Sequence, residues 1–148
     1  FSLFSISASA VSADDIRVVS ESGNVVYYSD GTYTITSITA VGTLTRGYLT
    51  LNKTIHVYNE DYEETCSLTV TGNFYLSNNI VTCVSSSYST HVYVSGWSIA
   101  SPAATCGNHG SYATATATGT AKKKILGIVV KSIPLSVTIT CYSDGTYY

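Results

Sequence analysis

Charge is what this chain of 148 residues lacks most: Asp, Glu, Lys and Arg together make up 11% of it, against roughly 25% in an average soluble domain. The formal net charge is −2, so the long-range attraction that draws proteins to nucleic acid or acidic membranes is missing, and both partner classes are excluded. Methionine is absent and Leu, Glu and Lys are few, so residues that favour helix interiors are scarce. After Ala13 no apolar stretch is long enough to cross a bilayer, and no Pro/Gly/Ser linker or shift of composition divides the chain. The length suits one domain able to bury its own core.

Ser, Thr, Asn and 13 Tyr take the place of the missing charges. With Val, Ile and Thr throughout, this composition favours strands, because branched and aromatic side chains fit a pleated, half-buried surface. Val25–Tyr28 and Tyr33–Thr36 flank Asp30-Gly31, a hairpin signal because that pair accepts positive φ. From Tyr48 to Tyr58, Leu49, Leu51, Ile55 and Val57 alternate with polar residues. Leu68–Leu76 and Ile80–Val84 form a hairpin turning at Ser77-Asn78-Asn79, and His91–Ile99 follows. The Ala/Thr alternation of Ser111–Thr120 finds its partner in Ile133–Cys141, with the tip inside Lys122–Lys131. Tyr-Ser-Asp-Gly-Thr-Tyr occurs at 28–33 and 142–147 as one turn type used twice. These signals predict an all-β, antiparallel two-sheet sandwich of about seven to nine short strands, immunoglobulin-like or jelly-roll.

The first residues, Phe1–Ile6 and the small residues to Ala13, read as the remnant of a secretory signal peptide, with Val11-Ser12-Ala13 as its cleavage pattern. A single sandwich domain then covers 14–148. The rival reading is a strand, since Phe4, Ile6, Ala8 and Ala10 alternate with Ser5, Ser7 and Ser9 and suit donation to a neighbour's sheet edge. Four cysteines in an exported chain suggest two disulfides. The hairpin places Cys83 opposite Asn73 or Phe74, with Cys66 about seven residues, or roughly 23 Å, further along, which argues against Cys66–Cys83. Cys141 ends the inward series Ile133, Leu135, Val137, Ile139, and Cys83 shares parity with Val81. The expected bridge is therefore Cys83–Cys141, leaving Cys66–Cys106 as a second bridge or two thiols.

Several segments carry a resemblance: Ile80-Val-Thr-Cys83, Gly96-Trp-Ser-Ile-Ala100, Ala113–Ala121, Leu126-Gly-Ile128 and Val137-Thr-Ile-Thr-Cys-Tyr-Ser-Asp-Gly145. Together they resemble small secreted β-rich proteins of clostridia and related Gram-positive bacteria, over roughly residues 65–145. The resemblance implies an export route and the same Cys83–Cys141 pairing, and no activity. Cys66 and Cys106 do not belong to its pattern.

Reactive constellations are weak. Cys106-Gly-Asn-His109 has the spacing of half a metal knuckle, but a zinc site wants four ligands, so a disulfide beside a loop histidine is the better account. His56 and His91 have no partner at ligand spacing. No Gly-x-Ser-x-Gly elbow is present. The run Asn59–Glu64 lacks the spacing of a glycosidase pair or calcium loop and reads as a solvated loop. Lys122–Lys124 before the apolar Ile125–Val130 reads as a hairpin tip whose lysines guard an edge strand. Lys53 falls on an inward position; a bulge would turn it outward, and an isopeptide bond to an Asn is the sharper alternative. Trp97 reads as core. No catalytic, cofactor or metal residues are assigned.

The Tyr-rich strands remain. Tyr27, Tyr28, Tyr33, Tyr88 and Tyr93 are the candidate ligand contacts, because a phenol offers apolar area with a hydrogen-bonding tip. The expectation is a secreted, non-catalytic module that binds an extracellular glycan, cell-wall polymer or host protein, as a monomer or weak homo-oligomer. The alternative is a self-associating surface subunit that uses its N-terminal strand or the Ile125–Val130 edge.

Overall fold

The computed structural model describes residues 16–148, so the signal-peptide and donor-strand readings of 1–13 lie outside the described residues. The alternating segments become nine strands: β1 (Val18–Ser22), β2 (Val25–Tyr28), β3 (Tyr33–Thr45), β4 (Tyr48–Tyr58), β5 (Glu64–Ser77), β6 (Ile80–Val92), β7 (Trp97–Asn108), β8 (Tyr112–Ile125) and β9 (Ile128–Tyr142). Most are not short, since β3 to β9 run 11 to 15 residues. Tight turns let these ladders close to their ends. Arg46-Gly47, Asn78-Asn79 and Leu126-Gly127 each carry two successive positive φ angles, from 52 to 83°. That is the type I′ pattern, whose twist matches the flanking strands.

Strands β1 to β6 form one antiparallel sheet in chain order, and β7 to β9 form a second. The chain passes between them over residues 93–96. Both sheets are meanders, so the Greek-key crossing needed by an immunoglobulin-like or jelly-roll arrangement is absent among the described residues. The sandwich stands; its strand order is simpler than expected.

The two sheets share one core. Leu51, Val57, Cys66, Leu68, Val70 and Phe74 of the large sheet meet Ile133, Leu135, Val137, Ile139 and Cys141 of the small one. β8, the central strand of the small sheet, contributes Ala113, Ala115, Ala117 and Ala121 to this core. Methyl-sized side chains let the sheets approach closely. Gly72 belongs to the same seam: a Cβ there would lie 2.6 Å from the Phe74 ring and 2.8 Å from Ala115. Trp97 is buried in this core, as its sequence position suggests.

The disulfide differs from expectation. Cys83 pairs with Cys106, with Cα atoms 5.6 Å apart, while Cys66 and Cys141 are buried thiols. The bridge ties β6 to β7, the strands at which one sheet hands the chain to the other. Cys141 lies on β9, separated from β7 by β8, and opposes Ala113. Cys106 lies beyond a bulge in β7: Ser101, at φ 52°, and Pro102 together oppose Gly119, one extra residue between the pairs Ala100–Thr120 and Ala103–Thr118. This shift re-aims every later side chain of β7.

Two lysine expectations also change. Lys122–Lys124 lie on β8, the central strand of the small sheet, and so guard no edge. Lys53 stays in unbroken register opposite Val70. No bulge turns it outward, and its amine donates to the Thr138 carbonyl at 2.8 Å.

The repeated hexamer forms the same turn twice. Asp30 Oδ1 accepts from the Thr32 amide and hydroxyl at 3.0 and 2.6 Å. Asp144 Oδ1 accepts from Thr146 at 2.9 and 2.6 Å. Gly31 and Gly145 have φ of 91 and 88°. The first copy joins β2 to β3; the second folds the following residues back on β9, where Tyr148 and Thr140 exchange backbone bonds of 2.9 and 3.0 Å.

Candidate functional site

Cross-strand neighbours stand about 4.8 Å apart, so aromatic residues at matching positions of adjacent strands must touch. Tyr27 opposes Tyr33, and Tyr33 opposes Tyr58. Their ring centroids are 5.8 and 4.9 Å apart, the second pair stacked. Tyr62, in the turn after β4, adds a ring 6.2 Å from Tyr33. The row therefore spans β2, β3 and β4 at one end of the large sheet's outer face.

Beyond β5 the band continues through Tyr93, whose amide donates to the Thr65 carbonyl at 2.9 Å, and through His91, stacked on Tyr93 at 6.0 Å. Polar groups lie along it. His56 Nδ1 meets Glu64 Oε2 at 2.6 Å, and its Nε2 lies 3.4 Å from Ser37 Oγ. Burial pushes the Tyr58 phenol above its ordinary value, and the charges of Glu64, Tyr33 and Tyr93 add to this.

Of the five tyrosines singled out in the sequence, Tyr27, Tyr33 and Tyr93 join this band. Tyr28 does not: it faces the core, and burial raises its phenol despite a bond to Thr34. Tyr88 opposes Val70, a core residue, and so lies on the inner side of edge strand β6. Tyr58 and Tyr62 were missed. Tyr58 ends the β4 alternation on the polar parity, and that signal was available; the position of Tyr62 depends on a turn at φ 65° that no period reveals.

The acidic run is structural. Asn59 Oδ1 accepts from the amides of Asp61 and Glu63 at 2.9 and 3.0 Å. Glu63 accepts from Asn59 Nδ2, Glu64 pairs with His56, and Glu60 pairs with Lys131. Each of those three carboxylates already has a protein partner. His109 lies beside the bridged Cys106 and stacks on Tyr112 at 4.5 Å.

A cleft of about 740 Å³ lies where the large sheet overhangs the small one, between β3 and β4 and the free edge of β9. Asn24, Thr36, Ile38, Lys53, Thr138 and Tyr148 are among its lining residues. Burial lowers the Lys53 ammonium below its ordinary value, and Tyr148 partly offsets this.

No helix among the described residues is long and apolar enough to cross a membrane. Comparison with known protein families, curated proteins and solved structures gives no match.

Proposed function

We propose that the protein is a secreted, non-catalytic module that binds a carbohydrate chain along the tyrosine band of its large sheet. The observation that carries this reading is the ladder Tyr27–Tyr33–Tyr58, three consecutive strands presenting phenol rings at one cross-strand level. A row of rings offers flat apolar area for sugar faces, and phenol hydroxyls and the neighbouring His56–Glu64 pair offer hydrogen-bonding tips at its border. The band is built on paired strands of one continuous sheet, so its spacing is fixed before a ligand arrives, which reduces the ordering cost of binding. The Cys83–Cys106 bridge suits an oxidising compartment outside the cytosol.

The test is a panel of wall polymers and extracellular glycans applied to the wild-type protein, Tyr33→Ala and Tyr58→Ala. Saturable binding should weaken by about tenfold or more in each variant, with Tyr88→Ala unchanged. Equal binding by all four proteins would remove the band as the site.

A second reading, self-association, is favoured by one observation. Leu126 at the β8–β9 tip is 97% exposed and held at positive φ, with Ile125 and Ile128 exposed beside it. An apolar residue in a conformation that suits Asn or Gly fits a contact with a second copy of the chain.

A further inference from the structure

We infer that the cleft between the inner face of β3 and β4 and the edge of β9 is a second binding site, one that takes a carboxylated sugar residue. Lys53 is the starting point. An ammonium has three N–H donors, and one goes to the Thr138 carbonyl. Among the described residues no Asp or Glu lines the cleft, and Lys53 makes no ion pair. Lys131, also half-buried, shows one way in which this fold meets such a charge: carboxylates of Asp30 and Glu60 lie 3.1 and 3.0 Å from it. A partly desolvated cation without a counter-charge is unfavourable, and an anionic ligand supplies what the cleft lacks.

An inward lysine is also a known guard of a sheet edge. Here much of that edge is closed by other means. Tyr148 pairs with Thr140, and Pro134 has no N–H to offer. Guarding one carbonyl also leaves the remaining space unexplained, since about 740 Å³ lies within the range of small-molecule sites.

The aromatic surroundings narrow the ligand class. A row runs across the end of the small sheet: Tyr112 to Tyr142 at 6.2 Å, Tyr142 to Tyr148 at 6.0 Å, and the Tyr148 ring 5.8 Å from Lys53 Nζ. A sugar ring stacked on Tyr148 places a carboxylate beside the ammonium and its hydroxyls near Asn24 and Thr36. A bare inorganic anion would leave the ring and most of the cleft unused, and a neutral sugar would leave the charge unmet. This site is separate from the tyrosine band and does not rest on it.

The experiment is an amide NMR titration at low salt with sodium glucuronate, with glucose and sodium acetate as probes of the polyol and the charge alone. Glucuronate should saturate, and glucose and acetate should each bind at least about tenfold more weakly. Lys53→Met should lose at least about tenfold in glucuronate affinity, and affinity should fall as pH rises toward deprotonation of Lys53. Tyr148→Ala, which keeps the charge, should weaken binding about threefold or more, and it decides the matter if Lys53→Met proves unfolded. Tyr88→Ala, on edge strand β6 and outside both the band and the cleft, should bind glucuronate as the wild type does. No saturation by glucuronate, equal affinity for glucose or for acetate, or an unchanged folded Lys53→Met protein would overturn the proposal.

Discussion

Leu126 sits at the first central position of a type I′ turn, at φ 52°, where an L-residue with a Cβ pays roughly 1–2 kcal/mol relative to its preferred conformations. Asn tolerates this region far better, and Asn-Gly is the favoured pair for such a turn. Almost none of the Leu126 side chain is buried, so its replacement removes no core packing. Leu126→Asn should therefore raise stability by about 1 kcal/mol in urea unfolding. Sedimentation of the same two proteins addresses the role of the exposed side chain: oligomers in the wild type that vanish in the variant would establish the tip as a contact between copies. Two monomers would leave the apolar tip without that role.

Among the elements, β6 and β7 are joined twice, by residues 93–96 and by Cys83–Cys106. The bridge encloses a loop of moderate length, with a sequence separation of 23, and its removal in Cys83→Ala/Cys106→Ala should cost about 2–4 kcal/mol. The remaining cysteines provide an independent check. Burial pushes the Cys66 and Cys141 thiols up to about 11, so neither forms an accessible thiolate near neutral pH. Mass spectrometry after alkylation should find no label on the native protein, two labels after unfolding without reductant, and four after reduction. A different count in the second state would reject the pairing.

That pairing also marks where sequence reading stops. Period-2 alternation marks the β4 core residues, the pairing of β8 with β9 and the hairpin at Asn78-Asn79, because burial on one face constrains every second residue. Tyr27 and Tyr28 are adjacent and so cannot share a face, which the same rule could have told. The bulges at Val84 and at Ser101-Pro102 leave no such trace, since an extra residue changes parity without changing composition. The cleft was equally hidden. It arises from the unequal widths of the two sheets, a property of strand order rather than of any one strand.

At the scale of the whole molecule, the sheets are joined on the β6–β7 side by the disulfide and, near the other free edge of the small sheet, by one ion network. Lys131 of β9 reaches Asp30 in the β2–β3 turn and Glu60 in the β4–β5 loop, so two connections of the large sheet meet a strand of the small one at one ammonium. Asp30 Oδ2 is buried with no hydrogen-bond donor other than this ammonium close to it. Burial alone would push the Asp30 carboxyl up, but donation from Thr32 and the charge of Lys131 outweigh it and hold it below its ordinary 3.8. For Lys131, burial lowers the ammonium, and Glu60 and Asp30 raise it by more, to a value above 10.5. A carboxyl held low in the folded state binds its proton less readily than in the unfolded chain. Its contribution is present above the unfolded value and disappears as pH falls through the lower, folded one. A lysine held high contributes below its unfolded value and loses that contribution as pH rises through the higher, folded one. Stability should thus be flat through the neutral range, fall on acidification below about 4 and fall again above about 10.5. Asp30→Asn keeps an oxygen for Thr32 and removes only the charge. It should lower neutral-pH stability by on the order of 1 kcal/mol and flatten the acid limb, measured as urea midpoints across the pH range. An acid limb as steep as that of the wild type would show that the network does not join the sheets energetically.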